Sequence, residues 1–140
     1  MKRHDVLRIV TKAMLPFILL FALYVQFHGD YGPGGGFQAG VIFGAGFILY
    51  GLVFGLADAK KVAPPPIIET LVALGILLYA GVGVAAMLRG GNFLDYGVLL
   101  HDQAHGQHLG IMLIELGVGI TVASVMILIF FSFAGRGRVQ

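Results

Sequence analysis

The fold is decided by the segment 109–133, LGIMLIELGVGITVASVMILIFFSF, whose one charged residue is Glu115. A helix needs about 20 mainly apolar residues to cross about 30 Å of hydrocarbon, whereas a membrane-spanning strand needs only about 10. The segment has the length of a spanning helix and no proline to interrupt it. It is therefore predicted to be a transmembrane α-helix.

Three further apolar segments precede it, and with it they define the predicted spans: 7–27, 37–57, 67–88 and 109–133. We expect an all-α integral membrane protein with four transmembrane helices in a single membrane domain over residues 1–140. The first span includes Arg8 and Lys12, whose long side chains reach the headgroup region. A secretory signal peptide is the alternative for this segment. No small-residue cleavage pattern follows Phe27, so we expect the segment to be retained.

The composition excludes several other classes of protein. Apolar residues make up 58% of the chain and charged residues only 11%, against about 25% charged in soluble domains. The mean hydropathy is +0.91. A soluble monomer, a disordered chain and a collagen are therefore excluded. The absence of cysteine excludes a disulfide scaffold and a thiolate-bound metal.

The basic residues divide unequally between the two predicted sides of the membrane. Arg89 lies alone on one side, and the others share the opposite side: Lys2, Arg3, Arg8, Lys12, Lys60, Lys61, Arg136 and Arg138. Because cytoplasmic loops are enriched in Lys and Arg, the protein is predicted to lie in the cell membrane with both termini on the cytoplasmic side. This division accounts for the basic pI, and no clustered basic patch indicates nucleic-acid binding.

The second span carries a stripe of glycines on one helical face: Gly36, Gly40, Gly44, Gly51 and Gly55. Small residues at such spacing let two helix backbones approach closely in a membrane. The stripe is predicted to receive a helix either of this chain or of another subunit. Within the chain, the shorter stripe of Gly106, Gly110 and Gly117 is the candidate partner.

The segment 28–40, which contains the loop before that span and the first residues of the span, has the sequence HGDYGPGGGFQAG. A dinucleotide-binding motif is excluded because no strand precedes its G-x-G-x-x-A pattern. We expect Pro33, Gly34, Gly35, Gly36 and Phe37 to form a tight external turn that packs closely at the helix start. The alternative is an anion site or a carbonyl-lined cation site at the helix terminus.

Two segments together carry a family resemblance: GPGGGFQAG opening the second span and GIMLIELGVGITV in the last span. They make the chain similar to the small B-type subunits of the Mrp-type (Mnh) multisubunit sodium/proton antiporters, over essentially its whole length. The resemblance implies a small subunit of a hetero-oligomeric membrane complex in which large subunits carry much of the proton path. Sodium and protons would be the transported ions. Before PGGGF the chain departs from the usual family pattern, so a role for His28 stays open.

Two carboxylates are candidates for the ion path. Glu115 lies about a third of the way into the last span, where a charge is costly unless it is paired, neutral or hydrated. We expect either a protonated, hydrogen-bonded structural group or a group that takes part in ion passage. Glu69 follows three prolines at the start of the third span, and for it a helix-capping role is favoured over the ion path.

Three histidines lie in the last external loop, at His101, His105 and His108. Their helical spacing makes them weak candidates for a metal site, because a structural zinc normally has four ligands. A pH-sensing role is a second alternative, since imidazoles titrate near neutral pH. No cofactor is expected, because no span carries a histidine to ligate haem.

The sequence therefore predicts a subunit of a cation/proton antiporter, not an enzyme, that supports assembly, with Glu115 as its main ion-path candidate. One alternative is a subunit of an energy-converting respiratory or hydrogenase complex with an Mrp-like module. The other is a purely structural assembly subunit.

Overall fold

The computed structural model describes residues 2–29 and 34–136. These residues form five α-helices and one short 3-10 helix: α1 (Lys2–His28), α2 (Gly36–Phe54), α3 (Leu56–Val62), α4 (Pro65–Leu88), the 3-10 helix (Tyr96–Val98) and α5 (Gln103–Arg136). Four helices, α1, α2, α4 and α5, are long and apolar enough to cross a membrane. This confirms the predicted all-α protein with four membrane-spanning helices.

The second span is shorter than predicted. The helix ends at Phe54 rather than at residue 57, because Gly55 adopts a φ of 102° that interrupts the helical backbone. The chain then turns into α3, so the segment 58–66, expected to be a simple connection, is partly helical. The short helix α3 returns Ala59, which is fully buried, to the side of Gly51.

The last helix is longer than predicted. It begins at Gln103 instead of residue 109 and continues to Arg136. Its first two turns contain several polar residues, and Gly106 and Gly110 bring them against the backbone and ring of Tyr96 in the 3-10 helix. The connection predicted over 89–108 is therefore only partly a loop.

The long helices are arranged in the order α1, α2, α5, α4, so that α5 lies between α2 and α4. The α4–α5 contact is made at two glycines: a Cβ on Gly75 would lie 2.8 Å from the Gly117 oxygen, and a Cβ on Gly117 would lie 2.9 Å from the Gly75 oxygen. Gly106, Gly110 and Gly117 thus face the 3-10 helix and α4. The prediction that they pair with the glycine stripe of α2 is wrong.

Basic side chains collect at the end of the structure where α2 ends and α4 begins. The Arg8 guanidinium lies 5.7 Å from the centre of the Phe54 ring, and the Lys60 ammonium lies 5.8 Å from the centre of the Phe131 ring. Phe131 is also part of a buried apolar cluster with Ala59, Ile68 and Ile127. The basic end is therefore a defined region of the fold, and its cytoplasmic orientation remains a prediction from the charge pattern.

Candidate ion-path site around Glu115

The carboxylate of Glu115 lies in a cradle made by two glycines of the α1–α2 connection. A Cβ on Gly29 would lie 2.8 Å from its Oε2 atom, and a Cβ on Gly35 would lie 2.8 Å from its Oε1 atom. Any side chain at either position would therefore displace the carboxylate. Glu115 is half-buried on α5 and has an interaction partner within the chain. The glycines are thus needed to admit the carboxylate to this place.

The cradle adjoins the first turn of α2. Gly35 occupies the N-cap position without a side-chain hydrogen bond, and its carbonyl accepts the Ala39 amide at 3.0 Å. The amides at the start of a helix have no intrahelical acceptor, and together with the helix dipole they favour a nearby anion. The first turn of α2 has no acidic residue of its own. Glu115 brings a carboxylate to that end from α5, far away in the sequence.

The glycine stripe of α2 packs on α5 of the same chain, except at Gly55, where a Cβ would meet nothing within 4 Å. A Cβ on Gly36 would overlap the carbonyl oxygen of Glu115, and one on Gly40 would lie 2.7 Å from the oxygen of Gly119. One helical turn further, a Cβ on Gly44 would lie 3.2 Å from the Met126 Cβ. The close approach of α2 therefore fixes the height of Glu115 on α5 relative to the start of α2.

The other residues of the predicted turn have different positions. Gly34 has a φ of 144° and lies next to Val25 of α1, and Phe37 is exposed. Pro33 lies outside the described residues. The described glycines of the turn, Gly34 and Gly35, thus lie against Val25 of α1 and the carboxylate of Glu115, respectively.

Glu69 does not belong to this site. It is the fifth residue of α4, one position beyond the first turn, and it is exposed at the basic end of the structure. Pro64 occupies the N-cap position of α4, which has no side-chain capping hydrogen bond. The expected capping role therefore has no direct support, and the two candidate carboxylates are not brought together.

The histidine loop forms a helix cap. The Asp102 carboxylate accepts a hydrogen bond from the Ala104 amide at 3.1 Å and lies 2.5 Å from Nδ1 of His105. Both hydrogen bonds lower the pKa of Asp102 below its ordinary value, and the one with His105 has the larger effect. Among residues 2–29 and 34–136 no group of three or more His, Cys, Asp or Glu side chains could hold a metal ion. The Asp before the helix start was the available signal for this cap.

One polar residue near the site was not singled out from the sequence. Gln26 of α1 is only 8% exposed, and its Oε1 atom would lie 2.6 Å from a Cβ on Gly119, one turn along α5 from Glu115. A single amide in an apolar span gives no periodic signal. The presence of a polar side chain in a predicted membrane helix was the only indication.

The family whose description is "Domain related to MnhB subunit of Na+/H+ antiporter" matches residues 6–128. This range includes the whole cradle, Gln26 and Glu115. The chain belongs to this family.

The MnhB family assignment is supported by curated relatives from staphylococci that are named as antiporter subunit mnhB2. The proteins of Staphylococcus epidermidis and Staphylococcus haemolyticus are each 34% identical to the chain over 139 residues, covering 96% of the chain and 98% of the relative. The Staphylococcus aureus protein is 35% identical over the same coverage. The predicted family resemblance is confirmed, and four spanning helices in an MnhB protein make it a multi-pass cell-membrane protein.

Proposed function

We propose that the chain is a membrane subunit of a multisubunit Na+/H+ antiporter in which the Glu115 carboxylate takes part in the passage of protons or sodium. Membership of the MnhB family supports the first part. It favours an antiporter over a respiratory or hydrogenase complex. The observation that carries the second part is the Glu115 carboxylate in its glycine cradle at the start of α2.

The depth of the cradle supports a hydrated or subunit-covered position. The apolar part of α5 begins at Leu109, so at 1.5 Å per residue Glu115 lies about 9 Å further along the helix axis. The cradle glycines Gly29 and Gly35 lie at the same level as Glu115, in non-helical backbone between α1 and α2. Non-helical backbone at membrane depth is tolerated only where protein covers it or water reaches it. Either condition also suits a titratable carboxylate.

Two opposing influences act on the Glu115 carboxylate in the cradle. The positive end of α2 stabilises the ionised form, whereas partial burial among apolar helices favours the protonated form. In the proposed role the carboxylate releases a proton and binds a cation in its place. That is the elementary step which a Na+/H+ antiporter requires of a group in its path.

The alternative is that Glu115 only links α5 to the α1–α2 connection. In that case the oxygen atoms matter and the titration does not. Glu115→Gln retains the shape and hydrogen-bonding capacity of the side chain but removes titration, whereas Glu115→Ala removes both. The two variants therefore distinguish an ion-path role of Glu115 from a purely structural one.

The test is antiport by the assembled complex in everted membrane vesicles, measured over a range of pH. We expect Glu115→Gln to assemble normally but to lower antiport or to shift its pH profile. The matched control is Glu69→Gln, because Glu69 is exposed at the other end of the structure. Unchanged activity and pH profile in an assembled Glu115→Gln complex would refute the ion-path role. Full exchange by the purified chain alone in liposomes would refute the subunit role.

A further inference from the structure

The four long helices leave an apolar groove along α5, which we name the central groove. It encloses a cavity of about 270 Å³. Ala22 of α1 and Leu71 of α4 line its opposite walls, Phe43 of α2 lines part of a wall, and Ala123 of α5 lies on its floor. Small residues on the floor allow another helix to approach closely, but they do not say which molecule does so.

Two buried polar side chains, Gln26 and Ser124, also line the central groove. Gln26 is 8% exposed and Ser124 is 3% exposed. Within residues 2–29 and 34–136, neither side chain makes a hydrogen bond. The difference from neighbouring hydroxyls on α5 is clear: Thr121 and Ser132 each donate to the carbonyl four residues earlier, at 2.8 and 2.9 Å.

The polar atoms of these two side chains are not completely sealed within the described part of the chain. In the described part of the chain, every fully enclosed side-chain nitrogen or oxygen has a hydrogen-bond partner. The unbonded atoms of Gln26 and Ser124 therefore keep a small access to the surroundings of the chain, and both residues line the groove. An unsatisfied amide or hydroxyl in an apolar environment costs about 1–3 kcal/mol, so a partner that satisfies them is strongly favoured.

The chemistry of the groove selects among possible occupants. A lipid acyl chain fills apolar space but donates and accepts no hydrogen bonds. A second copy whose two-fold axis passes through the groove would place groove over groove, and two concave surfaces leave each other unfilled. A transmembrane helix with an amide or hydroxyl side chain fills the space and satisfies both polar groups.

We propose that the central groove is the docking site for one transmembrane helix of a different subunit, which hydrogen-bonds to Gln26 and Ser124. This rests on the proposed function, because it requires the chain to work within a complex. The cavity admits only a few side chains, so the partner inserts a ridge of its surface between α1 and α4.

The first test is photocrosslinking in the purified, antiport-active complex. A photoreactive amino acid replaces Leu71 on the groove wall, and the matched control replaces Ile76, an exposed residue on another face of α4. We expect the Leu71 probe to join the chain to a transmembrane peptide of another subunit that contains Asn, Gln, Ser or Thr. An adduct with lipid only, with a second copy of the chain, or no more abundant than that from Ile76 would overturn the proposal.

The second test removes the hydrogen bonds. Gln26→Leu and Ser124→Ala should each make the chain dissociate from the complex about threefold more readily in a detergent titration, as measured membrane-helix hydrogen bonds lead one to expect. Ser132→Ala is the control, because Ser132 already bonds within α5. Wild-type retention of both groove variants would overturn the proposal. A complex that is active and sensitive to Glu115→Gln, yet gives these negative results, would leave the proposed function standing.

Discussion

Replacement of Gly40 by alanine tests whether the close approach of α2 and α5 supports the fold. A Cβ at this position would lie 2.7 Å from the Gly119 oxygen and 2.9 Å from the Val122 Cβ, whereas ordinary contacts are 3.4–4 Å. Backbone cannot rotate aside as a flexible side chain can. The two helices must therefore separate by roughly 0.7 Å, the gap between the first distance and an ordinary contact.

The expected cost follows from overpacking. An extra methyl group in a well-packed interface costs about 1–3 kcal/mol, and the greater helix propensity of alanine returns about 0.5–1 kcal/mol. Gly81→Ala is the matched control: Gly81 is also inside a spanning helix, but a Cβ there meets nothing within 4 Å. Because the propensity gain is common to both variants, their difference isolates the close approach, at about 1–3 kcal/mol.

The assay is the thermal midpoint of the detergent-solubilised complex, followed by size-exclusion chromatography after heating. We expect Gly40→Ala to melt several degrees below Gly81→Ala, which itself should be at or slightly above the wild type. Gly40→Leu and Gly44→Leu should impair assembly more severely, because longer side chains force the helices further apart. If Gly40→Ala melted with Gly81→Ala, the inferred role of the close approach would be wrong.

Two further predictions concern the ends of the structure. In the cysteine-free background, an impermeant thiol reagent applied from outside should label Gln103→Cys and not Lys60→Cys, because the basic end is predicted to be cytoplasmic. External labelling of Lys60→Cys would show that the predicted orientation is wrong. The pKa of Asp102 is lower in the folded protein than its ordinary value of 3.8. The contribution of the Asp102 cap to stability should therefore be complete at pH values above 3.8 and should be lost as the pH falls through the lower pKa of the folded protein. Hydrogen exchange at the Ala104 amide tests the cap itself. At neutral pH, Asp102→Ala should accelerate this exchange and His101→Ala should not. Equal exchange rates in the wild type and both variants would contradict the cap.

The spanning helices were predictable because the signal is additive along the chain. Each apolar segment exceeds the length that a helix needs to cross hydrocarbon, and it is about twice as long as a strand of a β-barrel, the other structure that satisfies its backbone in lipid. The boundaries depend on single residues instead. Gly55 ends α2 through its φ of 102°, and Asp102 starts α5 two turns before hydropathy becomes high. Both signals are present in the sequence but are averaged out by any long hydropathy window.

The partner of the glycine stripe was not predictable for a different reason. A row of glycines at helical spacing indicates that some backbone comes close, but it contains no information about which one. The structure supplies Gly119 and the backbone of Glu115 as the facing surface of α5. The cradle required the same kind of information, because Gly29 and Gly35 meet Glu115 only after α1, α2 and α5 have packed.

The position of Gln26 connects the ion-path site with the central groove. Its amide lies over Gly119, which is one helical turn from Glu115 and also faces Gly40 of α2. A partner helix that hydrogen-bonds to Gln26 would therefore press on the same part of α5 that holds the carboxylate against its cradle. Because glycine contacts leave no side chain to absorb a shift, small displacements there are transmitted between backbones. Docking of a subunit and the environment of Glu115 are thus expected to depend on one another, which would couple the proposed groove contact to the proposed ion-path site.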